Sequence, residues 1–251
     1  MKFHLKDHSF NVSNWLNLFL DHGCFFLVVF SALFFTYFAN FDIWVSQLFF
    51  SESGFFTANE TWWAQVIYVG TPWVGRAGLL FAVFVLIRAV LTPAKVSRRH
   101  WRRAASICSI SILGIGVIVN IVLKDGVGRP RPRETLSFNG QATYVPVLVL
   151  SQSCGSNCSF VSGHAATGFA LMSLGIFSIR RRRVFWLVTG ALMGLSIGLV
   201  RVAQGGHFLS DIVFAFLTIW ICHLVMRFTW LNFRLWQFRR LNLQTFQNAT
   251  H

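Results

Sequence analysis

Apolar residues in this chain gather into long, nearly unbroken stretches, separated by short segments that hold most of the charge. A helix needs roughly 20 residues to cross about 30 Å of hydrocarbon. Stretches of that kind fall at about 22–41, 74–92, 104–123, 165–179, 184–201 and 210–228. Lipid offers the backbone no hydrogen-bond partner, so each must be helical. The pattern predicts an all-α, polytopic membrane protein with six transmembrane helices. Between the first two stretches, Trp62, Trp63, Tyr68 and Trp73 suit the headgroup level, so 61–73 reads as an interfacial helix preceding the second span or as part of that span. Arg76 then belongs at the outer end of that span, because an arginine at the bilayer centre costs roughly 2.5–3.5 kcal/mol.

Composition strengthens the membrane reading: 55% of the 251 residues are hydrophobic and only 12% are charged, more apolar than a soluble domain carries. With five scattered prolines and neither repeats nor a low-complexity linker, residues 1–251 read as a single membrane-embedded domain. A net charge of +14 raises nucleic acid as a partner, but the basic residues form no single face. They sit in blocks at Lys95–Arg103, Arg180–Arg183 and Arg227–Arg240, each beside the end of an apolar run. That is the signature of cytoplasmic loops. It predicts cytoplasmic N- and C-termini, with Asp42, Glu52 and Glu60 outside and the bilayer, not nucleic acid, as partner. The opening MKFHLKDHSFNVSNW lacks a small-residue cleavage site, so the first span is expected to be retained.

Cys24, Cys108 and Cys222 fall within spans, whereas Cys154 and Cys158 share the long outer loop. Their spacing suits a disulfide in an oxidising compartment. A metal site would need further ligands, and only His164 is near, so the disulfide is favoured.

Three segments collect the remaining polar chemistry: KDGVGRPRPRE from Lys124, CSFVSGHAATG from Cys158 and RVAQGGHFLSD from Arg201. Each lies at the outer end of an expected span, so one membrane face receives all three. Lys124, Arg131 and Arg201 supply permanent positive charge, and guanidinium forks match phosphoryl oxygens. The Ser162 hydroxyl and the Gly163 amide at a helix start add neutral donors. His207 and Asp211, four apart, share a helix face if the last span begins nearby. A carboxylate that orients the imidazole leaves the other nitrogen free to attack phosphorus and form a phosphohistidine. His164, on another helix end, can protonate the leaving alkoxide and then activate water. With eight acidic residues in the chain and no carboxylate cluster suited to Mg²⁺, neither metal nor cofactor is expected. Arg129 and Arg133 flank these residues and read either as surface charge or as contacts for a second phosphate or anionic headgroups, and Asp125 as a balance for Lys124 or Arg129. The remaining histidines and the glycines at 114, 116, 190, 194 and 198 have ordinary structural roles, the glycines in close helix packing.

At full spacing these segments resemble the signature of the phosphatidic acid phosphatase type 2 and vanadium haloperoxidase superfamily, written KxxxxxxRP, PSGH and SRxxxxxHxxxD. Lys124 with Arg131-Pro132 matches the first, Ser162-Gly163-His164 the second, and Arg201, His207 and Asp211 the third. Val161 replaces the usual proline of the second motif and Val200 the usual serine of the third; neither change removes a catalytic group. The resemblance implies His207 as nucleophile, Asp211 as its partner, His164 as general acid and base, and Lys124, Arg131, Ser162, Gly163 and Arg201 as phosphate ligands. It also implies a metal-independent lipid phosphatase of the bacterial inner membrane with its site on the periplasmic face. Its substrate would be a lipid phosphate from the bilayer: lipid A or undecaprenyl pyrophosphate first, with phosphatidic acid and phosphatidylglycerol phosphate in the same class. Two competing readings use the same pocket: a lipid phosphotransferase working through the same intermediate, and a non-catalytic lipid-phosphate binding protein.

Overall fold

The computed structural model describes residues 13–249. The N-terminal stretch behind the retained-span expectation, with Lys2 and Lys6, lies outside the described residues, as do the side chains of Arg234, Arg239 and Arg240. Among the described residues the fold is helical, with only two isolated β-bridges, Phe50 with Phe56 and Thr135 with Ala142.

Helix α1 (Ser13–Tyr37) runs into the short α2 (Asn40–Gln47). Gly23–Tyr37 and α2 meet at an angle of 81°. A 3₁₀ turn, Thr57–Glu60, leads into α3 (Trp62–Leu91). Helix α4 (Arg98–Ser109) is capped by Ser97, which accepts from the His100 amide, and continues through wider π-type turns, Ile110–Lys124, to the single turn α5 (Asp125–Val127). After a long loop come α6 (Gly163–Phe169) with its 3₁₀ extension Ala170–Gly175, then α7 (Arg180–Ala203) and α8 (Leu209–Ala249).

Four helical stretches are by themselves long and apolar enough to cross a membrane: Trp62–Leu91, Arg98–Asp125, Arg180–Ala203 and Leu209–Phe233. The bent α1–α2 pair makes a fifth if taken as one span. The stretch expected at 165–179 is helical only over Gly163–Gly175. Seven α-helical and six 3₁₀ residues reach about 22 Å, short of the roughly 30 Å hydrocarbon core.

The interfacial segment needs correcting. Residues 62–73 are the first turns of α3 itself, which runs unbroken for 30 residues with Pro72 inside it. At 1.5 Å per residue it spans about 45 Å, enough to place its aromatic end at the headgroups while remaining one helix. Arg76 consequently lies midway along α3, not at its outer end, with its guanidinium 5.0 Å from the Trp73 ring centre on the preceding turn.

Helix α7 carries the small-residue stripe that draws the bundle together. A Cβ added at Gly194 would sit 2.1 Å from the Phe169 ring, one at Gly190 2.6 Å from Met172, and one at Gly198 2.4 Å from Ile212. Only hydrogen at these positions lets α6 and α8 approach α7. The main core joins Phe160, Phe169 and Met172 to Ile212, Phe214 and Leu217 of α8. At the C-terminal end of α7, Gly205 adopts φ +62, and a Cβ there would lie 2.3 Å from the Phe56 ring. Glycine therefore makes the turn that sends the chain back as α8.

Candidate active site

The ends of α4, α6, α7 and α8 meet, and the loops between them interlock. The Arg133 amide donates to Gly205 O at 3.2 Å, the Ser162 amide to Asp211 O at 3.3 Å, and Asn59 Nδ2 to Gln204 O at 3.1 Å. The turn holding Ser162 is thus tied to α8, with Val161 fully buried where the motif usually has proline. Ser162 caps α6 by accepting from the Ala165 amide at 3.3 Å, which leaves its hydroxyl proton available to a ligand. A Cβ at Gly163 would meet Asn120 Oδ1 at 3.3 Å, so the smallest residue suits this tight helix start.

His207 is 1% exposed. Its Nδ1 lies 2.7 Å from Ser159 O and 3.6 Å from Asp211 Oδ2. A carbonyl only accepts, so Nδ1 carries the proton and Nε2 the lone pair. The near partner of the ring is therefore a main-chain oxygen, and Asp211 stands just behind it. Asp211 Oδ2 accepts from the Phe208 amide at 2.8 Å and from the Ser159 hydroxyl. Burial pushes the His207 pKa down to about 3, so the imidazole is neutral at physiological pH, as a nucleophile requires.

His164 sits beside α3. Its Nε2 is 3.1 Å from Tyr68 O, and its ring stacks on the Tyr68 ring with centres 5.2 Å apart. The Arg201 guanidinium lies 4.4 Å from the centre of the same tyrosine ring. Burial, then the charge of Arg201, holds the His164 pKa at about 4. Arg201 is 2% exposed, bonds Gln204 Oε1 through Nη1, and has its buried Nε without a hydrogen-bond partner. Gly206 makes the room it needs, since a Cβ there would lie 2.3 Å from Arg201 Nη2.

Lys124 Nζ donates to Asn157 Oδ1 and Arg131 Nη2 to Asn157 O, both at 2.7 Å. One residue thus offers two oxygens to two of the expected phosphate ligands. Asn157 adopts φ 51 inside the small loop closed by the Cys154–Cys158 disulfide, which forms as expected.

Arg129 overturns its reading as surface charge. It is 0% exposed, with Nη1 2.6 Å from Asp211 Oδ1 and Nη2 2.8 Å from Asp42 Oδ2. Its partners are these two aspartates, not Asp125. A buried guanidinium needs matched counter-charge, and two carboxylates from distant parts of the chain supply it. Asp42, Ser159, Tyr68 and Asn157 were likewise missed as site residues. The available signal for Asp42 was its charge at the end of an apolar run in a chain with few acids; for Ser159, Tyr68 and Asn157 no motif marks them.

The PAP2 superfamily profile matches residues 105–234, which contain every motif residue described above. The chain belongs to the PAP2 superfamily. Three relatives are each named lipid A 4′-phosphatase. That of Francisella tularensis subsp. novicida (strain U112) is 31% identical over 206 residues, covering 78% of this chain and 91% of the relative. That of Rhizobium leguminosarum is 33% identical over 199 residues, covering 72% and 83%. That of Rhizobium etli is 30% identical over 197 residues, covering 72% and 76%. No solved structure matches the chain significantly.

Proposed function

We propose that this protein is a membrane lipid phosphatase that removes the 4′-phosphate of lipid A through a phosphohistidine on His207, without a metal ion. The observation that carries the chemistry is the buried, neutral His207, with its Nδ1 proton fixed by Ser159 O and its Nε2 lone pair free. The names of the three relatives favour lipid A over undecaprenyl pyrophosphate as substrate.

In the first step Nε2 attacks phosphorus, the ester P–O bond breaks, and His164 gives its proton to the leaving alkoxide. Neutral His164 then takes a proton from water, the oxygen attacks phosphorus, and the P–N bond breaks to return the electron pair to Nε2. Lys124, Arg131 and Arg201 balance the charge on the transferring group, with Ser162 and the Gly163 amide as neutral donors. Asn157 holds the places of two phosphate oxygens until substrate arrives. The buried carboxylates Asp42 and Asp211 both face Arg129, which supports charge stabilisation by cations of the protein. A phosphate dianion among these cations raises the His164 pKa from its low value in the empty site and so arms it as an acid.

In a six-span reading the α6 stretch, about 22 Å long, is a short inner span. The site and the basic blocks at Arg98–Arg103 and Arg180–Arg183 sit at opposite ends of the continuous helical stretch 98–124 and of α7. Under the positive-inside rule this supports cytoplasmic termini and a periplasmic site in the bacterial inner membrane.

The test is inorganic phosphate release by purified protein in EDTA from lipid A, undecaprenyl pyrophosphate, phosphatidic acid and phosphatidylglycerol phosphate, with His207→Ala beside it. Release from lipid A that survives EDTA and is lost in the variant is the expected result. Release that depends on an added lipid acceptor would instead favour a phosphotransferase.

A further inference from the structure

Asp42 belongs to α2, well before the 105–234 region that marks the family, yet it reaches the catalytic end and is 1% exposed. Its Oδ1 accepts from the Ser210 amide at 2.9 Å, and its Oδ2 from Arg129 Nη2 at 2.8 Å and from the Ser210 hydroxyl. The Arg129 guanidinium has five N–H donors, and each finds an acceptor. Nε goes to Val145 O at 2.8 Å, Nη1 to Asp211 Oδ1 at 2.6 Å and Ser210 Oγ at 2.8 Å, and Nη2 to Asp42 Oδ2 and, at 3.2 Å, to the Tyr144 hydroxyl. Tyr144 in turn donates to Ala39 O at 2.9 Å. The Phe208 ring covers the guanidinium, its centre 4.4 Å from the central carbon.

The network bears on His207 through the placement of Asp211. Asp42 takes the Nη2 branch of the guanidinium and leaves Nη1 to Asp211 Oδ1, so Arg129 is held from both branches and Asp211 Oδ2 stays beside the imidazole. The ring needs Asp211 there once Nε2 bonds phosphorus, because with Nδ1 still protonated the imidazole becomes cationic. Asp42 also fixes the first turn of α8, from which Asp211 projects.

Building on the reading of His207 as nucleophile, we propose that Asp42 is a positioning residue: through Arg129 and the first turn of α8 it sets the orientation of Asp211, so a helix outside the family region completes the nucleophile.

The experiment measures kcat, KM and the inhibition constant of inorganic phosphate on lipid A for Asp42→Asn and Tyr144→Phe, each alone and combined with Asp211→Asn. Tyr144→Phe keeps the ring beside Arg129 while removing the hydroxyl that accepts from Nη2 and donates to Ala39 O just before α2, and serves if Asp42→Asn does not melt cooperatively. We expect Asp42→Asn to lower kcat about 100-fold, as for a misplaced reacting group, and Tyr144→Phe about 5-fold, on the scale of one hydrogen bond. The phosphate inhibition constant should stay within about twofold, since the phosphate ligands are untouched, and both losses should vanish in the Asp211→Asn background. Unchanged kcat, losses that persist without the Asp211 carboxylate, or weakened phosphate inhibition would overturn the proposal. Wild type and His207→Ala, run beside them, test the underlying reading: activity surviving in His207→Ala sinks that reading whatever Asp42 does.

Discussion

The two ends of this helical bundle both carry arginines and treat them in opposite ways. At one end Arg129, Arg131 and Arg201 are buried, held by carboxylates, carbonyls and a tyrosine ring. At the other, Arg98, Arg99, Arg180 and Arg181 are exposed. The difference follows from where the acids lie. No Asp or Glu occurs at 61–124, 135–210 or 212–251, so the sequence around these blocks offers no counter-charge and these four arginines remain at the surface, while Arg183 of the same block is buried at 4% exposure. At the end with the motif residues, Asp42 and Asp211 pair with the buried Arg129, and a fixed buried charge can then orient a neighbour.

The largest effect that tests this contrast is on stability. Replacing Arg129 by Met leaves two buried carboxylates facing each other and should cost about 3–5 kcal/mol, whereas Arg99→Met should shift stability by about 0.5 kcal/mol or less. Thermal unfolding in one detergent compares them directly, and equal melting temperatures would break the comparison.

A smaller effect separates chemistry from architecture at the catalytic end. Arg201→Gln should lower kcat about 100- to 1,000-fold, as loss of a transition-state donor does. It should also raise the His164 pKa, which burial and then Arg201 hold at about 4. In the proposed mechanism protonated His164 is the acid of the first step, so activity is lost as pH rises through this pKa. Raising it moves the basic limb of the kcat/KM profile to higher pH. A limb that stays in place would remove His164 from that role.

The smallest effect belongs to the disulfide loop. Asn157→Ala deletes the side-chain oxygen that Lys124 contacts, so inorganic phosphate should inhibit a few-fold more tightly, about 1 kcal/mol for one displaced hydrogen bond. Weaker inhibition would mean that Asn157 assists the anion instead of standing in for it.

Much of this was legible in the chain because it depends on local spacing. Long apolar runs reveal spanning helices, since lipid leaves the backbone no alternative. The Lys124, Arg131, His164, Arg201, His207 and Asp211 set is readable because fixed spacings place those side chains at helix ends. The continuity of α3 was hidden by its aromatic start and Pro72, which resemble an interfacial segment locally while helix geometry carries straight through. The pairing of Arg129 with Asp42 could not be read, because the two lie 87 positions apart and no periodicity joins them.

The sequence by itself determined the solvent of this protein, the direction of its charge asymmetry and the candidate residues of its chemistry, because hydrophobic length and motif spacing are properties of the chain. Only the tertiary structure decided that Ser159 O holds the His207 proton, that Asn157 meets Lys124 and Arg131, and that Arg129 is an interior charge between two aspartates. Those are choices among partners distant in sequence, and they are made when the helices pack and buried donors must find acceptors.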